Sequence, residues 1–166
     1  ITPLTGGLTV GTQGVSQELN GIRYAPDICY ETVIPHLIRR QVNELRQQDQ
    51  EPDVLVNVTN DGWFRGSSEL DMHLACGVFR AIEMRKPVLI AANTGFSAWI
   101  DADGKILRQS SRFKPSYIIA DVELDNRHSL YLDYGDLFPA LCLVACLGLA
   151  ATGIWDWFHS RHQLVV

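Results

Sequence analysis

Over residues 22–29 an apolar-rich run ends at a sharp polar step, and Ile34, Ile38, Val42 and Leu45 then recur at helical spacing behind Pro35, a residue suited to a first turn. The pattern predicts a strand, then Cys29, then a helix of about three turns. Glu51-Pro52-Asp53 breaks that helix. Val54–Thr59 is a β-branched run closed by Asn60-Asp61-Gly62, so a second strand is expected to end on a loop. Ser67 and Ser68 are suited to cap a further helix whose Leu70, Leu74, Val78 and Ile82 mark one face and which stops before Pro87. A third strand follows over Val88–Ala92. Residues 97–100 and 105–108 flank Asp101-Ala102-Asp103-Gly104, a hairpin signal, and residues 117–122 read as one more strand. The order β-α-β-α-β-β-β implies a layered α/β domain with a mixed sheet and helices packed on a face.

Downstream the pattern changes character. Residues 137–155 carry no formal charge over nineteen positions, and at about 1.5 Å per residue such a helix is roughly 28 Å long, enough to cross a bilayer core. Eight of these residues are Leu, Ile, Phe or Val. Together they contribute roughly −2 to −5 kcal/mol at mid-bilayer, a margin that Pro139, Thr152 and the glycines reduce. A buried core helix is the alternative, and the length and uniformity of the run favour lipid. Trp155, Trp157 and Phe158 then fall where an aromatic belt belongs. The one Arg of the tail, Arg161, weakly favours the cytoplasmic side for the end of the chain and the opposite side for the domain before it.

Composition narrows the classes. A chain of 166 residues, 46% hydrophobic and 20% charged, can bury one sizeable core. The net charge of −5 is spread along the chain with no Lys/Arg run, which speaks against nucleic acid as a partner. Cys29, Cys76, Cys142 and Cys146 show neither zinc-ribbon spacing nor the density of a disulfide scaffold, and no metal or cofactor is expected. Cys142 and Cys146 share one helix face and read as small apolar residues in lipid. The opening Ile1-Thr2-Pro3-Leu4 has none of the features of a secretion signal, so the chain is expected to begin inside a larger protein.

The chemistry centres on Cys29. A cysteine closing a strand and opening a helix can present a thiol and backbone N–H groups to one pocket, the arrangement an acyl-transfer nucleophile needs. Alone, such a cysteine is more often a packed core residue. His73, on the second helix, reads as a satisfied surface or core histidine rather than a ligand.

Four segments in order change that balance: Ile28-Cys29-Tyr30-Glu31, then Val56-Asn57-Val58-Thr59-Asn60-Asp61-Gly62-Trp63-Phe64, then Arg80-Ala81-Ile82-Glu83, then Asn93-Thr94-Gly95. This series resembles the motifs of apolipoprotein N-acyltransferases, members of the carbon-nitrogen hydrolase (nitrilase) superfamily, over nearly the whole chain. The resemblance implies an α/β fold consisting of the C-terminal half of a nitrilase-type α-β-β-α layered domain, followed by one transmembrane helix. It places a partial carbon-nitrogen hydrolase domain at residues 1–130, the transmembrane helix at 136–158 and a short cytoplasmic tail at 159–166. It implies transfer of an acyl chain from a phospholipid donor to the N-terminal cysteine amine of an apolipoprotein acceptor, through a thioester on Cys29, in the inner membrane with the catalytic domain on the periplasmic side. Tyr30 and Glu31 fall on positions the family needs beside the nucleophile, although a carboxylate such as Glu31 also complements a helix N-terminus. Trp63 and Phe64 match a loop bordering the substrate entrance, where an exposed aromatic pair suits lipid contact, against the plainer reading of a core plug. Asn60 and Asn93 end strands on the same edge as Cys29 and are expected to support its loop through their amides.

The chain also departs from the family. A nitrilase-type site resembles a Cys-Glu-Lys triad in which the Glu and Lys precede the Cys, yet residues 1–28 hold no lysine, and Glu18 lies in no matching context. The missing N-terminal half of the enzyme is therefore an expected partner, and the chain alone is expected to be inactive. Two other readings stand beside this one: an amidase of the same superfamily acting on a small amide, and an inactive membrane-anchored remnant.

Overall fold

A computed structural model of the chain describes residues 11–163. The chain divides into two units, the first ending at Leu132 and the second starting at Asp133. The first is built on six strands: β1 (Gln17–Leu19), β2 (Ile22–Ile28), β3 (Val54–Thr59), β4 (Val88–Ala92), β5 (Ala98–Ile100) and β6 (Ile106–Gln109). They lie in the sheet in chain order. β2, β3 and β4 run parallel, and β1, β5 and β6 pair antiparallel at the flanks. The mixed sheet read from the sequence is thus present, with β1 added to it.

Helices α1 (Pro35–Gln47) and α2 (Glu69–Met84) make the two parallel crossovers. The alternation of side chains along a strand decides which groups the helices cover. Ala25, Leu55 and Val88 are buried in register, and they form one core cluster with Ile38, Val42 and Leu45 of α1 and Ala81 and Met84 of α2. Burying each large aliphatic side chain contributes about 1.5–3 kcal/mol. The opposite face carries the rows Pro26–Val56–Leu89 and Ile28–Val58–Ala91. There Ile28 and Val58 are half exposed.

Two expectations are corrected. The buried face of α2 is Leu70, His73, Gly77, Arg80, Ala81 and Met84, while Ile82 turns outward. That face is rotated from the purely apolar stripe: it buries Arg80 and carries His73 inward to partners described below. Residues 117–122 form no strand. β6 is the last strand of the sheet, and Tyr117 and Ile119 are 86% and 82% exposed, so the β-branched run lies in solvent without joining the ladder.

A short helix, α3 (Leu130–Tyr134), contains the boundary between the units, and the second unit continues as the long helix α4 (Leu137–Gln163). Its segment Leu137–Trp157 is 21 residues with a mean hydropathy of 2.2 and contains no buried residue. It is long and apolar enough to cross a membrane. The helix continues to Gln163, so positions 159–163 of the expected tail are helical.

Candidate active site

The carboxyl ends of β2, β3 and β4 lie on one edge of the sheet, the edge at which parallel α/β sheets bind ligands. β2 ends at Ile28, and Cys29 opens a 3-10 turn over Cys29–Val33. Cys29 has φ +53°, in the left-handed region. A non-glycine residue there costs about 1–2 kcal/mol, and neighbouring contacts must hold it.

Those contacts are present on both sides of the residue. Before it, the backbone N–H of Ile28 donates to Oε2 of Glu31 at 2.7 Å, the return half of a capping box. Glu31 is therefore the carboxylate that closes the turn at Cys29. After it, the main-chain carbonyl of Cys29 accepts from Nδ2 of Asn57 at 2.9 Å and faces Nε2 of His73 at 3.1 Å. The residue as a whole is partly exposed.

Behind this carbonyl lies a buried polar layer. Asn57, with no exposed surface, also donates to Oδ1 of Asp27 at 2.5 Å, its register neighbour on β2. His73 and Asp61 are each 3% exposed and meet Nδ1 to Oδ1 at 3.0 Å. The hydroxyl of Thr59 donates to the same Asp61 oxygen at 2.7 Å. Burial pushes the Asp27 carboxyl up from 3.8 to about 7; the Asn57 hydrogen bond and the Arg80 charge pull it down, and the Glu31 charge adds to the rise. Arg80, itself buried, donates to Glu83 at 2.9 Å.

Tyr30 directs its hydroxyl to Oε1 of Glu69 at 3.0 Å, and that hydrogen bond is the main cause raising its pKa. Its ring lies 6.1 Å from the ring of Phe64 and 6.2 Å from that of His73. Trp63 and Phe64 belong to a 3-10 turn, Asp61–Phe64. Trp63 is 74% exposed and plugs no core, while Phe64 is partly buried.

Asn60 and Asn93 do not hold the Cys29 loop directly. Nδ2 of Asn93 donates to Oδ1 of Asn60 at 2.7 Å, and that oxygen also caps the Gly62 N–H at 3.2 Å. They brace the turn from which Asp61 backs His73. The amide that reaches Cys29 belongs to Asn57, three residues earlier on β3, where the strand register places it beside Asp27. Sequence reading missed Asn57, Asp27, Asp61 and His73 as a group. The available signal was Asp27 and Asn57, two polar residues at strand positions two along from the covered Ala25 and Leu55. Among the described residues, no cluster of His, Cys, Asp and Glu is disposed to hold a metal ion.

The chain is thus an α/β domain whose mixed sheet carries, at the carboxyl ends of its parallel strands, a cysteine in the left-handed region over a buried polar layer. The signature of the carbon-nitrogen hydrolase family matches residues 8–130, and the chain belongs to that family.

Solved structures share the fold. A CN-hydrolase superfamily protein from Xanthomonas campestris superposes with a TM-score of 0.50 at 22% identity, covering 61% of this chain and 41% of that one. The glutamine-dependent NAD+ synthetase of Acinetobacter baumannii gives 0.54 at 15% identity, covering 65% of this chain and 21% of that one. Among curated relatives, an apolipoprotein N-acyltransferase from Rhodopirellula baltica is 33% identical over 98% of this chain and 29% of that protein. The one from Geobacter metallireducens is 36% identical over 75% of this chain and 23% of that protein. The chain thus spans less than a third of the length of these relatives.

Proposed function

We propose that this chain is the nucleophile-bearing part of an apolipoprotein N-acyltransferase, and that Cys29 carries the acyl group as a thioester. The observation that carries the reading is the geometry of Cys29: a left-handed, partly exposed residue whose carbonyl is held inward by Asn57 and His73. The names of the relatives and the long apolar helix α4 favour a lipid substrate over the small amide of a soluble amidase.

In the first half-reaction the Cys29 thiolate attacks an ester carbonyl of a phospholipid. A C–S bond forms, the ester C–O bond breaks, and the lysophospholipid leaves as an alcohol after taking a proton. In the second, the α-amine of the N-terminal cysteine of a diacylglyceryl apolipoprotein attacks the thioester. An amide forms, the C–S bond breaks, and the amine proton returns the thiol.

The peptide joining Cys29 and Tyr30 is trans, so its N–H points opposite to its carbonyl. With the carbonyl held by Asn57 and His73, the Tyr30 N–H faces away from the buried layer, as the backbone donor after a nucleophile does in an oxyanion hole. The proton-accepting Glu and the charge-stabilising Lys that the family resemblance calls for come from residues preceding this chain. The 3-10 turn with exposed Trp63 borders the entrance for the acyl donor, α4 anchors the chain in the inner membrane, and the domain faces the periplasm.

The test joins this chain to the upstream part of a family member in phospholipid vesicles and supplies a diacylglyceryl peptide. The peptide gains the mass of one acyl group with the wild type and none with Cys29→Ala. Equal gain in both would overturn the reading.

A further inference from the structure

His73 is 3% exposed and lies between two oxygen atoms, Oδ1 of Asp61 at 3.0 Å and the Cys29 carbonyl at 3.1 Å. A carbonyl oxygen only accepts, so Nε2 donates to Cys29. This fixes the ring: Nδ1 is turned to Asp61, whose carboxylate is held in place by the Thr59 hydroxyl at 2.7 Å. The ring thus links a buried carboxylate on the turn after β3 to the backbone of the residue that bears the thiol, from the neighbouring helix α2.

We propose that His73, backed by Asp61, is a positioning residue for acyl transfer: it orients the Cys29–Tyr30 peptide so that the Tyr30 N–H points at the oxyanion formed when Cys29 attacks. The proposal rests on Cys29 being the nucleophile. The physical chain is short. Asn57 and His73 take the two lone-pair directions of the Cys29 carbonyl. A carbonyl so bonded cannot rotate, and the peptide plane carries its N–H with it. Two accepted hydrogen bonds also polarise the peptide and strengthen that N–H as a donor. Without His73, Asn57 alone holds the carbonyl, and the left-handed turn gains freedom that its intrinsic cost favours.

The role predicts a difference between two reactions of the same sulfur. Attack on a p-nitrophenyl acyl ester passes through a tetrahedral oxyanion; alkylation by iodoacetamide displaces iodide and forms none. The experiment follows both on this chain joined to the upstream part of a family member in detergent micelles, with mass-spectrometric mapping of the adduct at Cys29, for wild type, His73→Ala, His73→Gln and His73→Asn. His73→Ala is expected to slow acylation of Cys29 about tenfold or more and to leave its alkylation within about twofold, since misaligning an oxyanion donor costs less than deleting one. The amide nitrogen of Gln reaches the place of Nε2, so His73→Gln is expected to recover acylation to within about threefold of wild type. That of Asn reaches only the place of Nδ1, and His73→Asn stays slow.

Acylation unchanged in His73→Ala, or both reactions slowed together in all three variants, overturns the proposal. If His73→Ala proves unfolded by circular dichroism, the Gln and Asn variants decide, and equal acylation rates in the two overturn it. Wild type that is alkylated but never acylated at Cys29 identifies a different failure: the nucleophile reading itself falls, and this proposal with it.

Discussion

A β-carbon on Gly95 would overlap the carboxylate of Asp61, so the loop after β4 closes on the turn after β3 with no room for a side chain. That carboxylate is the one that holds His73. Gly95→Ala therefore pushes Asp61 off its partner and is expected to destabilise the domain by about 1–3 kcal/mol, as overpacking does. The readout is a lower urea midpoint with an unchanged slope. Gly11→Ala, where a β-carbon meets nothing within 4 Å, is the matched control and moves stability by less than about 0.5 kcal/mol.

Asp27 gives the buried layer a pH dependence. Its folded carboxyl titrates at about 7 against an ordinary 3.8 because burial disfavours the charge. The folded state binds the proton more tightly, so this stabilisation is fully present below pH 3.8 and is lost as the pH rises through 7. The loss is at most roughly 4 kcal/mol. Asp27→Asn keeps an acceptor for Asn57 and has no proton to lose. Urea denaturation at pH 5 and pH 8 should show the variant gaining on wild type as the pH rises. A constant difference between the two proteins would contradict this origin.

Trp63 separates stability from function. With 74% of its surface exposed, it contributes little to the core, and Trp63→Ala is expected to shift unfolding by less than about 0.5 kcal/mol. If the Asp61–Phe64 turn borders the entrance for the acyl donor, the same variant loses acyl transfer from phospholipid when joined to the upstream half. Thermal melts and transfer assays on the same sample check both halves of this expectation.

Helix α4 is tested at its centre. Leu147 is the midpoint of the apolar segment Leu137–Trp157. Leu147→Arg adds about 3 kcal/mol to the cost of insertion, comparable with the whole favourable sum of the run. Most of the variant should leave the membrane on alkaline carbonate extraction, whereas wild type stays. Equal retention would contradict a spanning helix.

Much of the fold was legible in the sequence because strong periodic signals and breakers coincide: Pro35 opens α1, Pro87 follows α2, and the β-branched runs at 54–59 and 88–92 are strands. Residues 117–122 show the limit of local pattern. A strand needs a partner edge, and that is a property of the sheet rather than of the run. The buried face of α2 was misread for the opposite reason, since polar His73 and Arg80 interrupt the apolar stripe, and the partners of His73, Asp61 and the Cys29 carbonyl, lie outside the helix. Cys29 was legible through its neighbours in sequence. Its left-handed conformation was not, because the groups that hold it, Asn57 and His73, are 28 and 44 positions away.

The central claim is that Cys29 carries an acyl group. The most direct measurement incubates this chain, joined to the upstream half of a family member, with phospholipid vesicles and no amine acceptor, then maps the cysteines by intact-peptide mass spectrometry before and after hydroxylamine. The account predicts a hydroxylamine-labile fatty-acyl mass on the peptide containing Cys29, absent in Cys29→Ala and cleared on adding a diacylglyceryl peptide. An acyl mass that appears on Cys76, Cys142 or Cys146 instead, or none on Cys29 while the joined protein still transfers acyl groups, would contradict it.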